Sequence, residues 1–172
     1  MRLVLPSLKY QTQYLQALEE TEGETRETGL NKPDDNQTFE EFVQMWRDHA
    51  KGKNLRKGRV PATMYWLIDK GEVIGRVHIR HELNEFLLNY GGHIGYYIKP
   101  SKRRMGYGKK ILELALDKAR KMGISHVLLT CDEDNIRSQK VIESCRGILE
   151  NIAEQEQGKP RKMRYWINLN HE

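Results

Sequence analysis

The sequence predicts a single α/β (α+β) domain, in which a mixed central sheet of about seven strands is flanked by about four helices. Two strand-like runs, 64–69 and 73–82, are joined by Lys70-Gly71, a natural hairpin turn. An amphipathic helix over 106–122 is followed by the continuous apolar run 127–131, typical of a strand buried on both faces. Since strand, helix and strand in that order imply a parallel pair, the sheet combines antiparallel and parallel strands.

Composition limits the class of protein. At 172 residues, with 38% apolar and 31% charged residues, the chain is long enough for one core and too apolar for wholesale disorder. No apolar run approaches the roughly 18 residues of a membrane span, so we expect a cytoplasmic protein without a membrane partner. Cys131 and Cys145 match neither a metal-ligand pattern nor a disulfide framework, so we expect free thiols and no metal. The net charge of +5 favours a polyanionic partner.

The N-terminal third of the chain predicts a strand, a helix, a polar loop and a second helix. The strand covers residues 2–5, and the spacing of Leu8, Leu15 and Leu18 indicates the first helix. Glycine and acidic residues dominate residues 21–37, which we interpret as a mobile loop able to cover a site. Thr38-Phe39-Glu40-Glu41 fits a capping box, so the second helix begins there and ends near Gly52.

The C-terminal part alternates strands and helices. A strand over 91–98 stops at Pro100, which cannot continue a central ladder. A helix opens near Gly106 and ends at Gly123. The remaining predicted elements are the strand 126–131, a short helix over 135–145, and strands at 148–153 and 164–169 around the turn 157–160.

The pattern Arg103-x-x-Gly106-x-Gly108 lies between a strand and the start of the amphipathic helix. Unpaired backbone N–H groups and the helix dipole favour an anion there, and glycine lets a phosphate approach the backbone. Further positive charge on the same turn suits a pyrophosphate; it comes from Lys102, Arg103, Arg104, Lys109 and Lys110. The turn has neither the Gly-Lys-Ser/Thr of a P-loop nor the final glycine of a dinucleotide-binding motif.

This segment resembles the acetyl-coenzyme A signature of the GCN-related N-acetyltransferases, or GNAT proteins, whose pattern is Gln/Arg-x-x-Gly-x-Gly/Ala. The resemblance includes the preceding strand ending Tyr97-Ile98-Lys99-Pro100 and the run Asn135-Ile136-Arg137-Ser138. It implies one acyltransferase domain over 1–172, with acceptor-side helices and loop in 1–60 and a cofactor-binding core in 61–172. It also implies that acetyl-CoA contacts Tyr96, Ile98, Arg103, Arg104, Met105, Gly106, Tyr107, Gly108, Lys109, Asn135 and Ser138.

The same resemblance implies a mechanism. Strands 91–98 and 126–131 splay apart around the acetyl group, an amine attacks the thioester directly, and a backbone N–H near Ile98 stabilises the oxyanion. Many relatives protonate the departing thiolate with a tyrosine, but that position is Ile142 here. Solvent or one of three tyrosines would then have to serve; these are Tyr96, Tyr97 and Tyr107.

The general base is sought among the ionisable residues of the run 73–82. Four of these share one face of a strand: Arg76, His78, Arg80 and Glu82. Such groups line a wet cleft or pair together, so Glu82 is the first candidate for the base and His78 accompanies it. Alternatively, the four form structural ion pairs with Asp69, with Glu85 or with each other. His93 lies one residue from the position where relatives place a base, on the other face unless a bulge intervenes.

Three functions follow from these features. The first is an N-acetyltransferase that acts on an amine of a small molecule, peptide or protein, and the second is a sensor that binds acetyl-CoA without turnover. The third, a nucleic-acid-binding module, is disfavoured because the basic clusters lack interleaved aromatics and recognised motifs. A basic rim over residues 51–59 either favours an acidic acceptor or is a solvated loop. The sequence leaves open whether the protein forms a homodimer.

Overall fold

The computed structural model describes residues 1–21, 24, 29–156 and 158–170. The described chain has seven strands: β1 Arg2–Val4, β2 Ala62–Asp69, β3 Glu72–Arg80, β4 Ile94–Ile98, β5 His126–Asp132, β6 Ile148–Ala153 and β7 Lys162–Asn168. Its four α-helices are α1 Gln11–Glu19, α2 Phe39–Ala50, α3 Tyr107–Lys121 and α4 Ile136–Ser144. Short turns of other helix types lie at Leu8–Tyr10, Leu87–Gly91 and Pro100–Lys102. The predicted α/β class and its approximate element count are confirmed.

The strands form two antiparallel sheets, ordered β1-β2-β3-β4 and β5-β7-β6. Neighbouring β4 and β5 belong to different sheets, so the predicted parallel pair is splayed instead of paired by a ladder. Apolar side chains on the two faces of the first sheet form separate cores. One core joins this sheet to α3, α4 and the second sheet, while the other holds Tyr14, Phe42 and Trp66 against α1 and α2. The first sheet is therefore covered on both sides.

Local sequence signals explain several boundaries. Lys70 and Gly71 have φ values of 47° and 81°, the left-handed backbone that a two-residue hairpin turn requires. The Thr38 hydroxyl accepts from the Glu41 N–H at 3.2 Å, and the Glu41 carboxylate accepts from the Thr38 N–H at 2.8 Å. These bonds form the predicted capping box and start α2.

Three predictions about segments need correction or qualification. Strand β3 ends at Arg80, so Glu82 is on an exposed bend and not on the strand face. Residues 87–91 form a π-helical turn and β4 starts only at Ile94. Part of the predicted mobile loop, residues 22, 23 and 25–28, lies outside the described residues. Among the described residues, no helix is long and apolar enough to cross a membrane.

Candidate active site

A cleft separates β4 from β5. The two strands are bridged at one end, where the His93 N–H donates to the Leu128 carbonyl at 2.7 Å and the Leu128 N–H donates to His93 Nδ1 at 3.0 Å. Beyond this bridge a cavity of about 170 Å³ opens. Its lining consists of Ile94, Gly95, Tyr96, Leu129, Thr130, Cys131, Asp132, Asn135, Ser138 and Lys162. The cleft therefore opens towards the carboxyl ends of both strands.

His93 is a structural residue at this junction. Its side chain is buried, and its Nδ1 must remain unprotonated to accept the Leu128 N–H. Burial, together with the charge of Arg80, lowers the pKa of His93 to about 4. Gly92 supplies the bend before it, with a φ of 62°, and a Cβ there would lie 2.6 Å from the Leu128 carbonyl oxygen. The adjacent Gly91-Gly92 pair was the sequence signal for this irregularity.

Side chains fix the π-helical turn over the cleft entrance. The Arg80 guanidinium donates through Nη1 to the carbonyls of Gly91 and Gly92, both at 2.9 Å. Thr130 donates to the Tyr90 carbonyl at 2.7 Å, which ties the same turn to β5. Sequence reasoning missed these bonds because their acceptors are backbone carbonyls of a turn that has no motif.

The predicted cofactor strand presents its backbone to the cleft. The Lys99 N–H donates to the Ile74 carbonyl on β3 at 3.0 Å. Because backbone groups alternate between the two edges of a strand, those of Tyr96 and Ile98 face away from β3 and towards β5. This is the orientation that the resemblance implies for residues bonding a pantetheine arm. The Ile98 carbonyl also accepts from Arg103 Nε at 3.0 Å.

The glycine-containing turn continues from the end of β4 into α3. Gly106 is the N-cap, with a left-handed φ of 82°. The Lys110 N–H is the first to bond back into the helix, donating to the Gly106 carbonyl at 3.2 Å. The N–H groups of Tyr107, Gly108 and Lys109 consequently lack intrahelical acceptors and suit an anion. A diphosphate fits this turn.

Most of the cationic side chains that precede α3 are already paired. Buried Lys99 lies 2.8 Å from Glu20 and 2.6 Å from Glu72, and Lys102 also pairs with Glu72. Arg103 reaches Glu24 at 2.7 Å. The positive charge that Lys102 and Arg103 were predicted to add to the turn is therefore shared with these glutamates. Their side chains instead fix the turn in front of the helix.

The side chains of Arg104 and Met105 in this turn are exposed. Arg104 has a φ of 63° and, among the described residues, no ion-pair partner, while Met105 is 62% exposed. Tyr107 points back into the fold, where its hydroxyl donates to Asp69 at 2.8 Å. Asp69 is thus occupied by the cofactor turn and does not pair with the ionisable face of β3.

A pair of hydroxyl groups lies inside the cleft. Tyr96 Oη is 3.2 Å from Ser138 Oγ, and either atom can be the donor. Asn135 caps α4 by accepting the Ser138 N–H at 3.1 Å, so both predicted residues of the second motif line the cleft. Burial raises the pKa of Tyr96 to about 12, which keeps it protonated. Ile142, where relatives carry tyrosine, is buried in the core and offers no proton donor.

His78 lies on the opposite face of the sheet, paired in register with Gly95. The Trp46 ring packs 4.7 Å from the His78 ring, and His78 Nε2 is buried without a partner among the described residues. Burial, followed by the charges of Arg76, Arg80, Arg59 and His49, holds the pKa of His78 well below its usual range. The ring is therefore neutral at neutral pH.

The other residues predicted on that face have separate positions. Arg76 is buried and donates from Nε to the Gly29 carbonyl at 2.9 Å. This contact is not one of the ion pairs with Asp69 or Glu85 that were the alternative prediction. Only His78 and Arg80 lie beside Gly95, which itself lines the cleft.

The two cysteines are free thiols, as predicted, and both are buried. Cys131 lines the cleft, and burial raises the pKa of its thiol to about 11. A protonated thiol is a poor nucleophile, in agreement with direct transfer. Among the described residues, no group of three or more His, Cys, Asp or Glu is arranged to hold a metal ion.

Fold and cleft together define an acyltransferase that binds an acylated nucleotide cofactor between splayed strands. The model of the acetyltransferase (GNAT) family matches residues 16–148. The chain therefore belongs to this family, as the motif predicts, and it is an acyltransferase whose donor is acetyl-CoA. A separate comparison with curated protein sequences found no match.

Solved structures share this fold at low sequence identity. A Salmonella typhimurium acetyltransferase, which modifies the N-terminal serine of a ribosomal subunit protein, is 18% identical, with a TM-score of 0.66 and coverage of 98% of this chain and 94% of that one. The microcin C7 self-immunity acetyltransferase MccE, in complex with acetyl-CoA and AMP, is 17% identical, with a TM-score of 0.67 and coverage of 96% and 91%. These likenesses establish the fold.

Proposed function

We propose that the protein transfers an acetyl group from acetyl-CoA directly to an amine in a ternary complex. The observation that carries this proposal is the cleft between β4 and β5, which Gly95, Tyr96 and Ser138 line, in a chain whose helix α3 begins with free N–H groups shortly after β4. Donor and acceptor then approach the thioester from opposite faces of the first sheet. In this arrangement residues 1–60 supply the acceptor side and residues 61–172 the cofactor side.

The chemistry balances without a covalent enzyme intermediate. The amine nitrogen forms a bond to the thioester carbon, the carbon–sulfur bond breaks, and the nitrogen loses one proton while the thiolate gains one. Tyr96, polarised by Ser138 in the cleft, is the proposed donor to the thiolate. The backbone N–H of Ile98, which faces β5, is the proposed oxyanion donor.

Two residues are proposed for the general base. His78 is neutral and borders Gly95, and its Nε2 has no hydrogen-bond partner among the described residues. Glu82 lies on the exposed bend after β3 and acts, in the alternative proposal, through water. The position of His78 favours it, because a base must come within about 3 Å of the proton or of a relaying water.

A two-part assay tests the function. Acetyl-CoA at a saturating concentration raises the melting temperature, because a ligand that binds only the folded state stabilises it. Thiol release is then followed across a panel of small amines, polyamines and peptides with free N-termini. Cofactor-dependent thiol release with an acetylated product supports the transferase. Stabilisation without turnover of any amine would instead favour the binding-only sensor. The argument for the sensor is that Ile142 stands where many relatives have the tyrosine that protonates the thiolate.

A further inference from the structure

We propose that the acceptor carries an acidic group near its reactive amine, and that Arg59 and Arg80 bind this group on the α2 face of the sheet beside Gly95. This proposal rests on the proposed acetyl transfer and names the class of its acceptor. Three elements border this proposed site, which is called the cationic pocket below: α2, the loop before β2, and β3.

The pocket borders the proposed reaction centre. Gly95 lines the cleft, and a Cβ built on it would lie 4.0 Å from Arg80 Nη1. The Arg80 guanidinium therefore lies directly over the one position of β4 that has no side chain. His78 is the register partner of Gly95, and the Trp46 ring packs against the His78 ring. An amine reaching the cleft across Gly95 passes both groups.

Positive charge in this pocket is not compensated by the described chain. Within the described part of the chain, the hydrogen bonds of Arg80 go to two backbone carbonyls, which do not neutralise it. In the described ranges no carboxylate forms an ion pair with Arg59 or Arg80, in contrast to the paired Lys99, Lys102 and Arg103. Burial, followed by the charges of Arg59 and Arg76, lowers the pKa of Arg80 to about 10. An anionic group on the acceptor would relieve this repulsion.

The loop that carries Arg59 is held over the pocket. The His81 N–H donates to the Pro61 carbonyl at 2.9 Å, and Asn84 donates to the Gly58 carbonyl at 2.9 Å. The loop is thereby tied to the segment after β3 on both sides of Arg59. Burial lowers the pKa of His49 on α2, Asp48 raises it, and the charges of Arg56 and Arg59 lower it further. Two separated segments, the loop before β2 and strand β3, thus contribute positive charge to one place.

An anion in this pocket has a second consequence for the base. The groups that face His78 are Arg76 and Arg80 from its own strand, His49 and Trp46 from α2, and Arg59 from the loop. All the ionisable ones are cationic or neutral, so they disfavour protonation of His78. A bound carboxylate would favour it. A bound acidic acceptor therefore makes His78 a stronger base for removing the proton from the acceptor's amine.

Matched amines test the proposal. The probes are C-terminally amidated dipeptides in pairs, Gly-Glu against Gly-Gln and Ala-Asp against Ala-Asn, with a diamine as the cationic reference. We expect kcat/KM for the acidic member to exceed that of its amide by about tenfold, as a hydrogen-bonded charge pair gives, and to fall towards it as salt increases. An equal rate within each pair, a preference for the diamine, or no acetylation of any acidic member would overturn the proposal.

Charge reversal identifies the residue. Arg59→Glu should remove the preference for acidic probes, whereas Lys57→Glu makes the same charge change in the same loop and should retain most of it. Arg80 is not substituted, since its guanidinium also holds the turn at Gly91 and Gly92. An equal loss in both variants would contradict a specific Arg59 site. Thermal stabilisation by acetyl-CoA, measured on the same proteins, separates the two proposals: its absence in the wild type removes the proposed function, and its presence with no charge preference removes only the acidic acceptor.

Discussion

The two basic regions of the molecule differ in how their charge is used. Before α3, Lys99, Lys102 and Arg103 are paired with glutamates, and backbone N–H groups are left to receive the anion. On the α2 face, Arg59 and Arg80 have no such ion pairs among the described residues. A backbone site suits a group that never changes, and the sequence motif predicts the diphosphate of the donor here. A side-chain site is easily altered by substitution and suits an acceptor that differs between relatives.

The largest expected effect breaks the backbone site. Gly108→Glu places a carboxylate among the free N–H groups of the first turn, where even a Cβ would lie 3.2 Å from Val141 Cγ2. We expect acetyl-CoA to give no thermal shift and no turnover. Met122→Glu adds the same charge at the exposed far end of α3 and should bind normally. Wild-type affinity in Gly108→Glu would mean that the diphosphate binds elsewhere.

The next effect concerns the base. Because general-base catalysis typically contributes at least about 100-fold, His78→Gln should lower kcat by that order while leaving acetyl-CoA affinity within about twofold. Glu82→Gln should leave both nearly unchanged. Steady-state kinetics and cofactor titration measure the two quantities separately. The reverse pattern, with Glu82→Gln the slower variant, would assign the base to the exposed bend.

Gly95 on β4 and Gly75 on the neighbouring β3 test two different roles of glycine: room for the acceptor to pass, and close packing of the strands. A Cβ at Gly95 meets only Arg80 Nη1, at 4.0 Å, so Gly95→Ala should fold normally and lower kcat/KM for the acceptor by about tenfold, as one added methyl group does in a close-fitting site. A Cβ at Gly75 would lie 2.0 Å from the Tyr97 carbonyl oxygen. Gly75→Ala should therefore lower the melting temperature instead. Unchanged kinetics in Gly95→Ala would show that the acceptor does not cross this position.

The smallest effect is a pH dependence at the bridge between the sheets. The pKa of His93 falls from its ordinary value of 6.5 to about 4 on folding, mainly because the ring is buried, so the unfolded chain binds more protons between these values. Stability contributed by neutral His93 is therefore present above pH 6.5 and lost as the pH falls towards 4. We expect the melting temperature to decline over this window.

Two variants separate His93 from other acid-sensitive groups. His93→Asn retains an acceptor for the Leu128 N–H but does not titrate, so its melting temperature should decline less steeply. His93→Leu leaves that N–H unpaired and should cost about 1–3 kcal/mol at neutral pH. Identical pH profiles for the wild type and His93→Asn would show that other groups dominate the acid response.

Sequence reasoning succeeded where a signal is local. The motif around Gly106 depends on residues that are consecutive in the chain, and Thr38 to Glu41 forms its capping box within one turn of helix. It was less accurate at Glu82, because an alternating pattern does not show where the chain leaves the sheet. The ladder ends at Arg80, where the next residue instead bonds to the Pro61 carbonyl.

The amino-acid sequence by itself determined the family, the donor and the order of elements, since these depend on periodicity and on short-range glycine chemistry. Only the tertiary structure decided which charges are free. Lys99, Lys102 and Arg103 find their partners in residues that lie far from them in the chain, whereas Arg59 and Arg80 have no ion-pair partner among the described residues. Pairing between residues that are distant in the chain gives no periodic pattern in the sequence. The charges that remain free on the proposed acceptor side are therefore seen only in the tertiary structure.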